Sequence, residues 1–93
     1  MNQQRRLLVI DDDASVRESV VVYLEDSGFE VHAAASGKDG LEWLKAHSPD
    51  IVLTDLRMPD VDGLAVLKEV RLWRPQTPVI VISGMGVVRD VIE

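Results

Sequence analysis

An α/β domain built on a parallel sheet is what the patterning of this chain predicts, and three observations carry the prediction. Short unbroken apolar runs recur, Leu7-Leu8-Val9-Ile10, Ile51-Val52-Leu53 and Val79-Ile80-Val81-Ile82, and such runs suit strands buried on both faces. Segments with helical spacing separate them, which is the β-α-β alternation of right-handed crossovers. Two of the runs end in acids, Asp11-Asp12-Asp13 and, after Thr54, Asp55. In open α/β sheets the ligand crevice lies beyond the carboxyl ends of the strands, where the winding direction reverses.

The elements follow in order. After the first strand, Asp13 is the candidate N-cap of a helix with Val16, Val20, Tyr23 and Leu24 along one face. Gly28 stops it, because a left-handed backbone costs glycine nothing. Glu30-Val31-His32-Ala33-Ala34 reads as a second strand, small in side-chain volume and near an edge. Ser36 caps a second helix carrying Leu41 and Leu44, with Trp43 on its flank. Gly40 inside that helix costs about 1 kcal/mol relative to Ala. Pro49 ends the next turn and the third strand follows. Residues 57–63, Arg-Met-Pro-Asp-Val-Asp-Gly, form a loop rich in turn formers. Asp62 then caps a third helix with Leu64, Leu67 and Val70 inward. Pro75 and Pro78 bracket the turn into the fourth strand. Ser83-Gly84-Met85-Gly86 opens a loop, and residues 87–93 read as the start of a further helix.

At 93 residues the chain makes a single domain over 1–93. With 46% hydrophobic and 28% charged residues its composition is that of a globular protein. No apolar run approaches the ~20 residues that span a bilayer, and Asp11 cuts the stretch after Arg5-Arg6 too early for a secretion signal. No membrane partner is expected. Cysteine is absent, which rules out disulfides and thiolate metal sites and fits a cytoplasmic setting. A net charge of −6 disfavours a nucleic-acid partner for this module, since binding there relies on Lys and Arg.

If the first and third strands are neighbours, Asp11, Asp12 and Asp55 meet in one small volume. Such a cluster is hard to keep ionised unless a cation sits among the carboxylates. The pattern therefore points to a metal-dependent phosphate site. Asp55 is the candidate nucleophile, since a carboxylate can attack phosphorus and hold the group as an acyl phosphate. Asp11 and Asp12 would hold Mg²⁺ or Mn²⁺, which accept oxygen ligands and offset repulsion between nucleophile and phosphodonor. Ser83 would hydrogen-bond a phosphoryl oxygen, and the Gly84 N–H could approach it without an intervening Cβ. Asp13 is assigned to capping. His32 and His47 read as surface or strand-flank residues, Lys38, Lys45 and Lys68 as solvated helix charges, and Met58, Trp43 and Trp73 as packing groups. No P-loop or dinucleotide fingerprint is present.

Leu-Val-Ile-Asp-Asp-Asp (8–13), Leu-Thr-Asp-Leu-Arg-Met-Pro-Asp-Val-Asp-Gly-Leu (53–64) and Pro-Val-Ile-Val-Ile-Ser-Gly (78–84) together resemble the receiver domain of two-component response regulators. The likeness runs over essentially the whole chain. It implies a flavodoxin-like, CheY-like doubly wound sheet in the order 2-1-3-4, with the first and third strands adjacent at the switch point. It also implies that Asp55 is the phosphoacceptor and that Asp11 and Asp12 are the acidic metal pair. By the same likeness the Arg57 backbone carbonyl completes the metal shell and Ser83 is the switch hydroxyl. The partners implied are a histidine kinase or a small phosphodonor and an output domain, and the chemistry is self-modification rather than enzymatic turnover.

The family pattern continues through a fourth helix, a fifth strand with a phosphoryl-pairing Lys and a last helix. This sequence stops at Glu93, so the resemblance implies an incomplete receiver lacking the fifth strand and last helix. Phosphorylation weakened by the missing Lys is then expected. So are an unpaired apolar edge at the fourth strand and self-association through it. Two other readings compete. Asp11-x-Asp13 with Ser15 loosely resembles the nucleophile loop of haloacid-dehalogenase-type phosphatases, but that reading leaves Asp55, Met58-Pro59 and Asp62-Gly63 unexplained. A pseudo-receiver that binds partners without phosphate is the third reading.

Overall fold

A computed structural model of the chain describes residues 4–83 and 86–89. The elements run β1 (Arg6–Ile10), α1 (Ala14–Asp26), β2 (Glu30–Ala34), α2 (Gly37–Leu44), β3 (Ile51–Asp55), α3 (Gly63–Trp73), β4 (Val79–Ser83) and β5 (Gly86–Arg89). They form one sheet in the order β2-β1-β3-β4-β5. The parallel core has the expected order, with β1 between β2 and β3 and β4 beyond β3.

β5 corrects two expectations. Residues 87–89 lie in a strand, antiparallel to β4, where the start of a helix was expected. β4 is therefore paired on both sides, and among the described residues the outermost strands of the sheet are β2 and β5. The physical reason is the unfilled ladder of β4, which can be satisfied locally by the β-branched pair Val87-Val88. Self-association through a bare fourth-strand edge accordingly loses its basis. The remainder of the expected helix, residues 90–93, lies outside the described residues.

Strand register sorts the sheet into two faces. Leu8, Ile10, Ala34, Val52, Val79 and Val81 point to one, where they pack with Leu44 of α2 and Val66 and Val70 of α3. Each fully buried aliphatic side chain there contributes about 1.5–3 kcal/mol relative to exposure. α1 covers the opposite face, over Val9, Leu53 and Ile82. No residue of α1 is fully buried; Tyr23 (71% exposed) faces solvent, while Val16, 46% exposed, borders the sheet beside Val20. The side expected to pack is thus rotated: Arg17, Val20, Val21 and Leu24 are the half-buried positions. In α3 the inward positions are Gly63, Val66 and Val70, whereas Leu64, expected inward, is 56% exposed. Both displacements arise because helical spacing defines an apolar stripe but not its rotation against a sheet.

The capping residues behave as the sequence predicts. Asp13, Ser36 and Asp62 each accept a hydrogen bond from the backbone N–H three residues on, at 3.1, 3.0 and 2.9 Å. Gly28 takes φ +98°, and the Gly28 and Phe29 N–H groups donate to Glu25 and Leu24 carbonyls, the paired closure of a left-handed helix stop. No described helix is long and apolar enough to cross a membrane.

Candidate functional site

The site forms because β1 and β3 pair in a register that places Ile10 opposite Thr54. One residue further on, Asp11 stands beside Asp55 at the carboxyl edge of the sheet. Asp11, Asp12 and Asp55 each present a carboxylate oxygen within 4.8 Å of the others. Asp11 and Asp55 are half-buried, while Asp12 is exposed.

Local contacts hold this edge in place. The Asp11 N–H donates to the Ala34 carbonyl at 3.2 Å, tying the β1–α1 turn to β2. The Asp13 N–H donates to Asp11 Oδ1 at 2.9 Å, and Arg17 Nη1 donates to the Asp11 carbonyl at 2.8 Å. On the other strand, the buried Thr54 hydroxyl donates to the Asp55 carbonyl at 3.1 Å. The Leu56 N–H donates to Ile82 at 2.8 Å, which seats β3 against β4 at the site.

Electrostatics single out Asp55. Its carboxyl is pushed above the ordinary carboxylate value first by burial, then by the charge of Asp11, with Asp12 adding a smaller push. The backbone N–H groups of Leu56 and Arg57 oppose that push. A carboxylate that resists ionisation between two like charges is a group a cation would relieve. Among the described residues the set is three carboxylates, hard oxygen donors that fit Mg²⁺ chemically.

The remaining candidates fall as follows. Arg57 lies in the loop after β3 and lines an open hollow of about 560 Å³ with Leu56, Met58, Pro59 and Asp62. Ser83 is the last residue of β4, one beyond Ile82, the register partner of Asp55; Gly84 lies outside the described residues. Asp13 is engaged as a helix cap and is not one of the three acids that converge. His32 and His47 do not belong to the acid cluster and instead sandwich Trp43, with ring centroids 4.5 and 4.3 Å apart.

The sequence named Gly63 and Asp60 only as loop and motif residues, and it gave Arg17 no role. Gly63 lets the start of α3 press against β3, because a Cβ there would sit 2.5 Å from the Asp55 carbonyl. Its N–H donates to Leu56 at 2.9 Å. Asp60 holds a left-handed φ of 68° in the same loop, a conformation that Asp tolerates better than most residues. Arg17 was concealed among helix-surface charges. Its signal was a cation at an inward helical position directly after an acidic strand end.

Fold and site together define a doubly wound α/β domain with an acidic pocket at the carboxyl edge of its sheet. The chain belongs to the response regulator receiver domain family, whose model matches residues 7–93, the signalling domain of two-component systems. Among curated proteins, it is 35% identical over 85 residues to the cell cycle response regulator CtrA of Brucella ovis, covering 91% of this chain and 37% of that protein. The chain thus spans little more than a third of the length of the curated relatives it matches. A response regulator receiver domain protein from Clostridium thermocellum superposes with a TM-score of 0.81 at 33% identity, covering 85% of this chain and 64% of that one. Response regulator protein TrrA from Thermotoga maritima, solved in complex with Mg²⁺-BeF, gives 0.83 at 30% identity, covering 86% and 70%.

Proposed function

We propose that this chain is a phosphoacceptor module in which Asp55 takes a phosphoryl group from a histidine kinase or a small phosphodonor. The observation that carries the reading is the convergence of Asp11, Asp12 and Asp55 on one pocket, where burial and then the charge of Asp11 hold the Asp55 carboxyl above its ordinary value. An Asp55 carboxylate oxygen attacks phosphorus, the bond from phosphorus to the donor's leaving atom breaks, and an acyl phosphate forms on Asp55.

Asp11, Asp12 and Asp55, with the Arg57 backbone carbonyl, would hold Mg²⁺, or Mn²⁺ in its place. The ion would supply the positive charge that lets an anionic nucleophile approach an anionic donor. This chain's own residues do the rest. The Asp13 N–H and the Arg17 guanidinium keep Asp11 in place. The Thr54 hydroxyl and the Gly63 contact fix the backbone of Asp55. The Ser83 hydroxyl and Gly84 N–H receive the phosphoryl oxygens. The modified state is then read by an output domain in the cytoplasm, so the chain signals by self-modification.

The test is incubation with acetyl phosphate and Mg²⁺ followed by mass-spectrometric mapping. A phosphoryl adduct on Asp55 that is absent in Asp55→Asn, and absent without divalent cation, is expected. Labelling on Asp11, or label that persists in Asp55→Asn, would overturn the assignment.

A further inference from the structure

We propose that Arg17 is a positioning residue of this acidic site, clamping the Asp11 carbonyl so that the Asp11–Asp12 turn stays in register with Asp55. The inference rests on the metal-assisted reading above and adds a residue to it. Arg17 lies on the inward side of α1, half-buried, and reaches back six residues to donate from Nη1 to the Asp11 carbonyl at 2.8 Å. Its own N–H donates to the Asp13 carbonyl at 2.9 Å. One side chain therefore links the first turns of α1 to the strand end that carries two of the three acids.

Asp11 is held from three directions. Its N–H is tied to β2 through Ala34, its Oδ1 to the Asp13 N–H and its carbonyl to Arg17. The first two bonds orient the residue along the strand and turn its carboxylate. The third stops the peptide between Asp11 and Asp12 from rotating, and that peptide sets where the Asp12 carboxylate points. Asp12 is exposed, so the backbone beneath it is what restrains it.

Coulomb's law alone predicts the opposite effect, which makes the proposal decidable by sign. A guanidinium brought close to a pocket for a divalent cation repels that cation. If Arg17 acted only through charge, or only by docking α1, its removal would leave Mg²⁺ affinity unchanged or raise it. If it acts by holding the Asp11–Asp12 peptide, its removal weakens binding although a repulsive charge has gone.

The experiment is calorimetric titration of Mg²⁺ into the wild-type chain, Asp12→Asn, Arg17→Met and Arg17→Lys, each with a melting curve. Arg17→Met is expected to bind about tenfold more weakly, the size of one hydrogen bond to a charged group, with its melting temperature little changed. Arg17→Lys keeps a cationic donor and is expected to stay close to wild type. A second readout guards against a poorly folded variant: amide hydrogen exchange at Asp12 and Asp13 should quicken in Arg17→Met while α2 and α3 stay protected. Wild-type binding that is lost in Asp12→Asn yet equal or tighter in Arg17→Met overturns the role of Arg17 alone. Absence of Mg²⁺ binding by the wild type overturns the metal reading and this inference together.

Discussion

Asp55 combines a strand-end position with a carboxyl held above its ordinary value of 3.8 by burial and by Asp11. A raised carboxyl pKa means that the folded state binds a proton more readily than the unfolded chain. Stability then falls as pH rises through the folded value, and the penalty is fully present at neutral pH. Asp55→Asn is therefore expected to raise the melting temperature by a few degrees near neutrality while removing phosphoacceptor chemistry. The gain should vanish when the same melts are run below the ordinary carboxylate value. His32 works in the opposite sense, being lowered from 6.5 by burial and then by His47. Its share of stability is present above 6.5 and is lost as pH falls below that value toward the depressed folded one. Replacing His47 by Gln should raise the His32 value, and NMR titration of the ring protons reads this directly.

Helix α2 runs against β1 closely enough that any side chain at position 40 would strike Ile10. Helix propensity alone predicts that Gly40→Ala gains about 1 kcal/mol. Packing predicts a loss of about 1–3 kcal/mol, as for other overpacked cores, and chemical denaturation would show which term wins. Gly63 is under the tighter constraint, since a Cβ there meets the backbone of Asp55 and Leu56 rather than a flexible side chain. Gly63→Ala should cost a similar amount and also reduce labelling of Asp55, because α3 and the end of β3 cannot both keep their places. The Arg74 guanidinium at the end of α3 donates to the Leu44 and His47 carbonyls, at 2.8 and 3.2 Å. It thereby satisfies orphan groups at the end of α2 and joins the two helices on their shared side of the sheet.

At the scale of the molecule, the two sides of the sheet are unequally covered among the described residues. α2 and α3 bury one side completely at Leu8, Val52 and Val79. On the other side, where α1 is the one helix among the described residues, Ile51, Leu53, Ile80 and Ile82 are half-buried. The acid cluster lies at the carboxyl edge between these layers, so an ion there would bridge β1, β3 and the turn into α1. Binding to the folded state only should stabilise the fold by about 2.7 kcal/mol at a hundredfold excess over the dissociation constant. Thermal melts with and without Mg²⁺ test this, and in Asp12→Asn the increment should shrink sharply.

Patterning made most of this molecule legible. The apolar runs marked β1, β3 and β4 as buried parallel strands, and capping chemistry at Asp13, Ser36 and Asp62 located the helix starts. Strand-end acids marked the site, because a parallel doubly wound sheet has one edge where such residues meet. These features are local, and short-range steric and hydrogen-bonding preferences encode them. The rotation of α1 and α3, the close approaches at Gly40 and Gly63, the clamp from Arg17 to Asp11 and the strand at residues 86–89 were decided at the tertiary level. Each depends on how two separate elements press together, and no periodicity within either element carries that placement.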